Sequence, residues 1–218
     1  MIFDENPMAA NAFYNPVVNA CYILPTNLVD PIYNTSYADA YNYAVIGATT
    51  IGHEMCHAFD ASGAKYDSTG KEKDWWAVSD KLRYQEKKDQ LTELFNQFTT
   101  PESYTSLDGE NTLTENMADF GGLTVAYDLF VEKKINEGFS GERLNEQRKM
   151  FFQSYALAWS GLDDDDAMKS LISSGDVHAP LYFRTNGNVC QFDDWYDLYD
   201  VQKGDRYYLE PGQRVILW

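Results

Sequence analysis

The chain has 218 residues and a mass of 24.9 kDa, and its 34 Asp and Glu outnumber 17 Lys and Arg to give a formal net charge of -17. That charge repels nucleic acid and anionic lipid and leaves no basic patch to bind either, so no nucleic-acid partner is expected. With 44% hydrophobic and 15% aromatic residues and no repeated tract, the composition lies outside that of disordered chains and suits one domain, residues 1–218, with a sizeable core.

Along the chain, the first 35 residues read as an edge strand and loops, with a short extended run at Asn11-Ala12-Phe13-Tyr14 followed by Pro16, Pro25 and Pro31. A proline-free stretch from about Ala38 to Asp60 predicts a long helix ending near Ser62-Gly63. Asp74-Trp75-Trp76 is expected to open a second helix running to about Phe98, with Leu82, Leu91 and Leu94 on one face. Pro101 and Asp108-Gly109 mark a loop; a third helix covers roughly Leu113 to Lys134. A fourth runs from about Gly141 to Ser160, with an aromatic face that includes Phe152, Tyr155 and Trp159. The acidic run Asp163 to Asp166 precedes a helical stretch and reads as capping and dipole compensation rather than as a calcium site. From His178 to Trp218 the pattern mixes short extended and helical pieces. No apolar run approaches the roughly 18 residues that a membrane-spanning helix needs, and no targeting series opens the chain. The abrupt start suggests a piece of a longer protein. Cys21, Cys56 and Cys190 are far apart and odd in number, which favours neither a disulfide framework nor a thiolate zinc site.

The long first helix contains His53-Glu54-Met55-Cys56-His57, of the form H-E-x-x-H. Two histidines four apart on a helix project to one side, so both imidazoles can reach one ion at about 2.0–2.1 Å. In a shuffled chain of this composition the pattern arises on the order of once in 10³ trials; the plain alternative is two ordinary helix-face histidines. A catalytic zinc also needs a third protein ligand and an open position for water. Glu115, in Glu115-Asn116-Met117-Ala118-Asp119, is the candidate. Its four-residue spacing to Asp119 puts both on one helix face, one to bind metal and one to orient a ligand histidine. A capping box between Thr112 and Glu115 is the bland alternative. Asp60, about one turn after His57, is expected to hydrogen-bond a histidine's other ring nitrogen or to finish the helix. The expected cofactor is one Zn2+ per chain.

These two motifs, with Asn11-Ala12-Phe13-Tyr14, Asp74-Trp75-Trp76, the fuller run Asn111 to Gly122, and Asp176-Val177-His178-Ala179-Pro180 followed by Phe183-Arg184, resemble the neprilysin and endothelin-converting-enzyme metallopeptidases. These are gluzincins with a thermolysin-like catalytic core. The motifs occur in family order over nearly the whole chain. The resemblance implies an α+β, mainly helical, thermolysin-like zincin domain with a small edge-strand sheet. It implies a zinc-dependent endopeptidase acting on oligopeptides. His53, His57 and Glu115 match the zinc ligands, and Glu54 matches the base that activates the metal-bound water. Asp119, Asp60 and Asp176 match residues that orient others. His178 and Arg184 match residues that stabilise the oxyanion and hold a substrate carbonyl, and Asn11 and Ala12 match strand-edge positions that pair with substrate backbone.

Family members carry a larger, mostly helical N-terminal domain over the active site, and the resemblance therefore makes that domain an expected partner and an extracytoplasmic location the expected one. Departures from the family pattern are Ala58 in place of the usual Gly, Cys56 between the ligands, Thr49 and Thr50 before His53, and Pro25-Thr26-Asn27-Leu28 in place of an apolar loop. The C-terminal Arg214 to Trp218 lacks the cysteine of many animal members, which suits a bacterial-type member. Two other functions compete: a catalytically silent peptide-binding module of the same fold, against which an intact Glu54 argues, and an exopeptidase, for which no binder of a free terminus is visible.

Overall fold

The computed structural model describes residues 6, 8–161 and 164–217. An antiparallel hairpin comes first: β1 (Ala12–Asn15) pairs with β2 (Ala20–Ile23), Ala12 opposite Ile23 and Asn15 opposite Ala20. Asn19 turns the chain with a φ of 48°, a conformation that asparagine tolerates better than most residues. β2 adds a strand to the single edge strand expected here; four residues between Asn19 and Leu24 are too few to show an alternating pattern. The tip of the hairpin rests on a second turn. The Asn19 side chain donates to the Ser68 carbonyl, and a Cβ on Gly70, whose φ is +73°, would fall 1.7 Å from the Val17 carbonyl oxygen.

Residues 39–59 are helical throughout, close to the extent the sequence predicts, but the pitch changes three times. α1 (Asp39–Asn42) widens into a π-helix (Tyr43–Gly52), narrows to α2 (His53–Cys56) and closes in a 3₁₀ turn (His57–Phe59). Ten residues of π-helix are rare, and such segments gather at functional sites. At its end the His53 N–H reaches the Ala48 carbonyl.

α3 (Val78–Asn96) starts after the tryptophan pair rather than with it, because Ala77 is extended and the Trp75 indole N–H is used on the Ala64 carbonyl. Trp76 packs on Tyr84 instead, with ring centroids 5.1 Å apart. α4 (Leu113–Asn136) and α5 (Gly141–Ala158) follow the expected helices closely. In α6 (Asp165–Ser174) the Asp164 side chain accepts from the Ala167 N–H, a capping role for the acidic run; Asp163 lies outside the described residues. α7 (Leu181–Val189) and α8 (Asp193–Tyr199) follow, and beyond them the described tail is irregular backbone around a 3₁₀ turn (Pro211–Gln213), with no strand among the described residues. The expected mixture is present as two helices with extended residues such as Phe192, Glu210 and Arg214 between and after them, none of which pairs into a strand among the described residues. Among the described residues, no helix is long and apolar enough to cross a membrane.

The chain forms two compact units, one of Met1–Trp75 with Gly122–Ala158 and one of Trp76–Gly121 with Trp159–Trp218. In the first, Phe130 of α4 stacks on Phe151 of α5, and Tyr127 meets Phe151 edge-on and Phe152 at a tilt, with centroids 4.8–5.3 Å apart. Small residues of the π-helix, Ala44 and Ala48, are fully buried in the same unit. Lys134 is buried there too, donating to Asp39 and Glu137 and lying over the Phe130 and Phe139 rings. In the second unit, Leu91, Leu94, Phe95 and Phe98 of α3 pack with Met117, Phe120 and Phe183.

Within the first unit, two helical backbones meet at a pair of glycines. A Cβ on Gly122 would lie 2.5 Å from the His53 nitrogen and 2.6 Å from the Ala48 carbonyl oxygen, the two atoms of the hydrogen bond that ends the π-helix. A Cβ on Gly52 would lie 2.8 Å from the Gly122 Cα. Gly122→Ala forces one backbone off another and should lower the unfolding free energy by about 3 kcal/mol, the upper end for overpacking, read as a lowered urea midpoint with unchanged slope.

Candidate metal centre

His53 and His57 stand on either side of the junction between α2 and the 3₁₀ turn. Their rings are perpendicular and their Nε2 atoms are 3.1 Å apart. Two nitrogens bound to one tetrahedral ion at 2.0–2.1 Å sit about 3.3 Å apart, so the pair is already spaced as ligands. One ring nitrogen of His57, Nδ1, lies 2.7 Å from Asp60 Oδ2. With the proton on Nδ1 that bond turns the Nε2 lone pair outward. Asp60 is itself fixed, since its Oδ1 accepts from the Ser62 and Gly63 N–H groups, each at 2.7 Å. The turn can close so tightly only at glycine: a Cβ on Gly63 would meet the His57 carbonyl oxygen at 1.9 Å.

Glu54 is buried beside His53. β1 packs against α2, and the carboxylate of Glu54 helps burial to push the Cys21 thiol above its usual pKa. Burial, and after it Cys21 and Asp60, likewise raise Tyr14. Asn11 and Ala12 lie at the start of β1, where the Asn11 side chain accepts from the Ala12 N–H at 2.9 Å. The Asn11 carbonyl accepts from Asn27 Nδ2 at 2.6 Å. Asn27 is buried in the 3₁₀ turn Pro25–Leu28, the loop whose sequence departs from the family, and its role as an anchor of the strand had no signal beyond a proline-started turn.

Glu115, Asp119, His178 and Arg184 belong to the second unit. Asp108 organises the start of α4: its side chain accepts from the Glu110 and Asn111 N–H groups, and its carbonyl from the Thr112 N–H and hydroxyl. The Thr112 hydroxyl in turn accepts from the Asn116 side chain. Glu115 therefore sits in a well-held first turn. One helical turn on, Asp119 is almost fully buried and receives Arg184 of α7 through both oxygens, Nε at 2.6 Å and Nη2 at 2.7 Å. The other side of that guanidinium is covered by Trp159, whose ring centroid is 3.8 Å from Cζ. In the loop between α6 and α7, His178 places Nε2 3.3 Å from Glu115 Oε2 and Nδ1 3.0 Å from Asp176 Oδ1. Its hydrogen bond to Glu115, working against burial, raises its pKa above the usual imidazole value. Asp176 is lowered, first by the backbone N–H of His178 and then by its ring.

One ligand atom each from His53, His57 and Glu115 all lie within 4.8 Å of one another. Two imidazoles and a carboxylate at that spacing are a donor set for a divalent ion such as zinc.

Comparison with known proteins matches residues 11–215 to the model of Peptidase family M13. The chain is 33% identical to a neutral endopeptidase of Lactobacillus helveticus over 95% of its length and 30% of the relative's. It is 31% identical to neprilysin-11 of Caenorhabditis elegans over 99% of its length and 26% of the relative's. Among solved structures, it is similar to a Mycobacterium tuberculosis zinc metalloprotease, Zmp1, in complex with an inhibitor (TM-score 0.88, 29% identity, all of this chain and 34% of that one). It is also similar to PEPO of Lactobacillus rhamnosis (TM-score 0.84, 29% identity, 98% of this chain and 32% of that one). The chain thus spans about a quarter to a third of the length of the relatives it matches.

Removing one member of a buried ion pair leaves the other charged and unpaired, which costs about 3–5 kcal/mol. Asp119→Ala should therefore lower the unfolding free energy by about that amount, and Asp119→Leu with Arg184→Met together by clearly less, both read from urea unfolding.

Proposed function

The chain belongs to Peptidase family M13, and on that premise we propose that it is the catalytic part of a zinc-dependent endopeptidase that hydrolyses oligopeptides. His53, His57 and Glu115 would hold one zinc ion. The observation that carries this is the convergence of their donor atoms within 4.8 Å, next to a buried Glu54. When bound, zinc supplies Lewis acidity, drawing the pKa of a water toward about 7 and polarising a substrate carbonyl.

The residues of the chain do the rest. Asp60 keeps the His57 tautomer that points Nε2 at the ion. Glu54, buried beside His53, takes a proton from the attacking water and passes it to the leaving amine. His178, oriented by Asp176, donates to the oxyanion that develops on the scissile carbonyl. Arg184, oriented by Asp119 and Trp159, holds a neighbouring substrate carbonyl. The substrate backbone adds to β1 at Asn11 and Ala12, a mode that gives affinity with little demand on side chains; the packing of β1 against α2 supports this. In the whole protein, we place an N-terminal domain over this site, restricting access to peptides, and the enzyme outside the cytoplasm, by resemblance to the family.

A blocked peptide, with neither terminus free, distinguishes this endopeptidase from an exopeptidase. Full-length protein should cleave it, stop on addition of a chelator and resume when zinc is restored. Glu54→Gln should retain one zinc per chain yet lose about 10²–10⁴ in kcat; normal turnover by that variant would remove Glu54 from the mechanism.

A further inference from the structure

The loop that carries His178 is tied at two points four residues apart, one in the first turn of α4 and one in the turn that precedes it. One is the His178 ring beside Glu115. The other is Asn111, whose Nδ2 donates to two successive carbonyls of the loop, Asp176 at 2.7 Å and Gly175 at 3.3 Å. Asn111 is an exposed residue, and the start of α4 is already organised by Asp108. Its side chain therefore adds little to the helix itself; what it holds is the loop.

The residue it grips is the one that aims His178. Asp176 accepts from the His178 backbone N–H at 2.8 Å and faces its Nδ1 at 3.0 Å, both through Oδ1. Gly175, the other residue gripped, ends α6 in a left-handed conformation with a φ of 73°, so the loop leaves the helix through a sharp turn just where Asn111 fastens it. The two ties are not equivalent. The contact of His178 with Glu115 uses a carboxylate oxygen that would also serve zinc, whereas the grip of Asn111 on the loop backbone involves no candidate ligand atom.

We propose that Asn111 is a positioning residue for His178: through the carbonyls of Gly175 and Asp176 it fixes the imidazole at the centre independently of what Glu115 binds. This rests on the role given above to His178.

The test uses the zinc-loaded, full-length enzyme. Asn111→Ala should lower kcat about tenfold, the scale of two lost hydrogen bonds, with KM within about twofold and zinc content unchanged. Asn111→Asp, equal in size but without the donor, should lose as much. Hydrogen exchange of the segment 174–180 should quicken about tenfold in both variants, a readout independent of turnover. In a His178→Ala background, Asn111→Ala should reduce kcat no further. Wild-type exchange in that segment, full activity of Asn111→Asp, or multiplying effects in the double variant would each overturn the proposal. If His178→Ala alone keeps wild-type kcat, the role of His178 is what fails, and the exchange rates then decide whether Asn111 holds the loop.

Discussion

The two histidines of the candidate centre depend on how closely two helical backbones can approach at Gly52 and Gly122. Neither glycine has room for a methyl group, and the atoms against Gly122 are the donor and acceptor of the bond that returns the chain from π to α pitch at His53. The position of His53 along its helix and the seat of α4 are thus set by the same contact. Glu115 lies seven residues before Gly122 on the same continuous helix, which is close to two full turns and about 10.5 Å of rise, so it shares the face that carries Gly122.

Around the proposed ligands, the orienting carboxylates are themselves immobilised, and by different means. Asp60 is held by two backbone N–H groups of a turn that only glycine can close. Asp176 is held by a backbone N–H of its own loop, and Asp119 by a bidentate guanidinium with an indole over it. For the buried Asp60 and Asp119 these bonds satisfy lone pairs that burial would otherwise penalise, and in all three they restrict the carboxylate's geometry.

The sequence displays those parts of this design that repeat or are spaced regularly. The helix of α4 and that of α5 follow from apolar periodicity, and His53, Glu54 and His57 follow from one turn of helical spacing. What it does not display are features made by backbone atoms. The π-helix over Tyr43–Gly52 consists almost entirely of small and apolar residues, so it has no polar face from which a period could be read. β2 is too short to alternate. Asn27 and Asn111 act through donors aimed at main-chain carbonyls, and an acceptor present in every residue leaves no pattern. Trp159, expected as one more ring on the face of α5, lies beyond the helix end and covers Arg184 instead; its partner is far away in sequence and became visible only in three dimensions.

The central claim is that two imidazoles and one carboxylate share a single zinc ion. X-ray absorption at the zinc edge of the loaded protein tests it most directly. The account predicts a first shell of nitrogen and oxygen only, with two imidazole scatterers at about 2.0–2.1 Å and oxygens at about 2.0–2.2 Å. A sulfur shell near 2.3 Å, which would bring Cys56 to the metal, or the scattering of a single imidazole would contradict it.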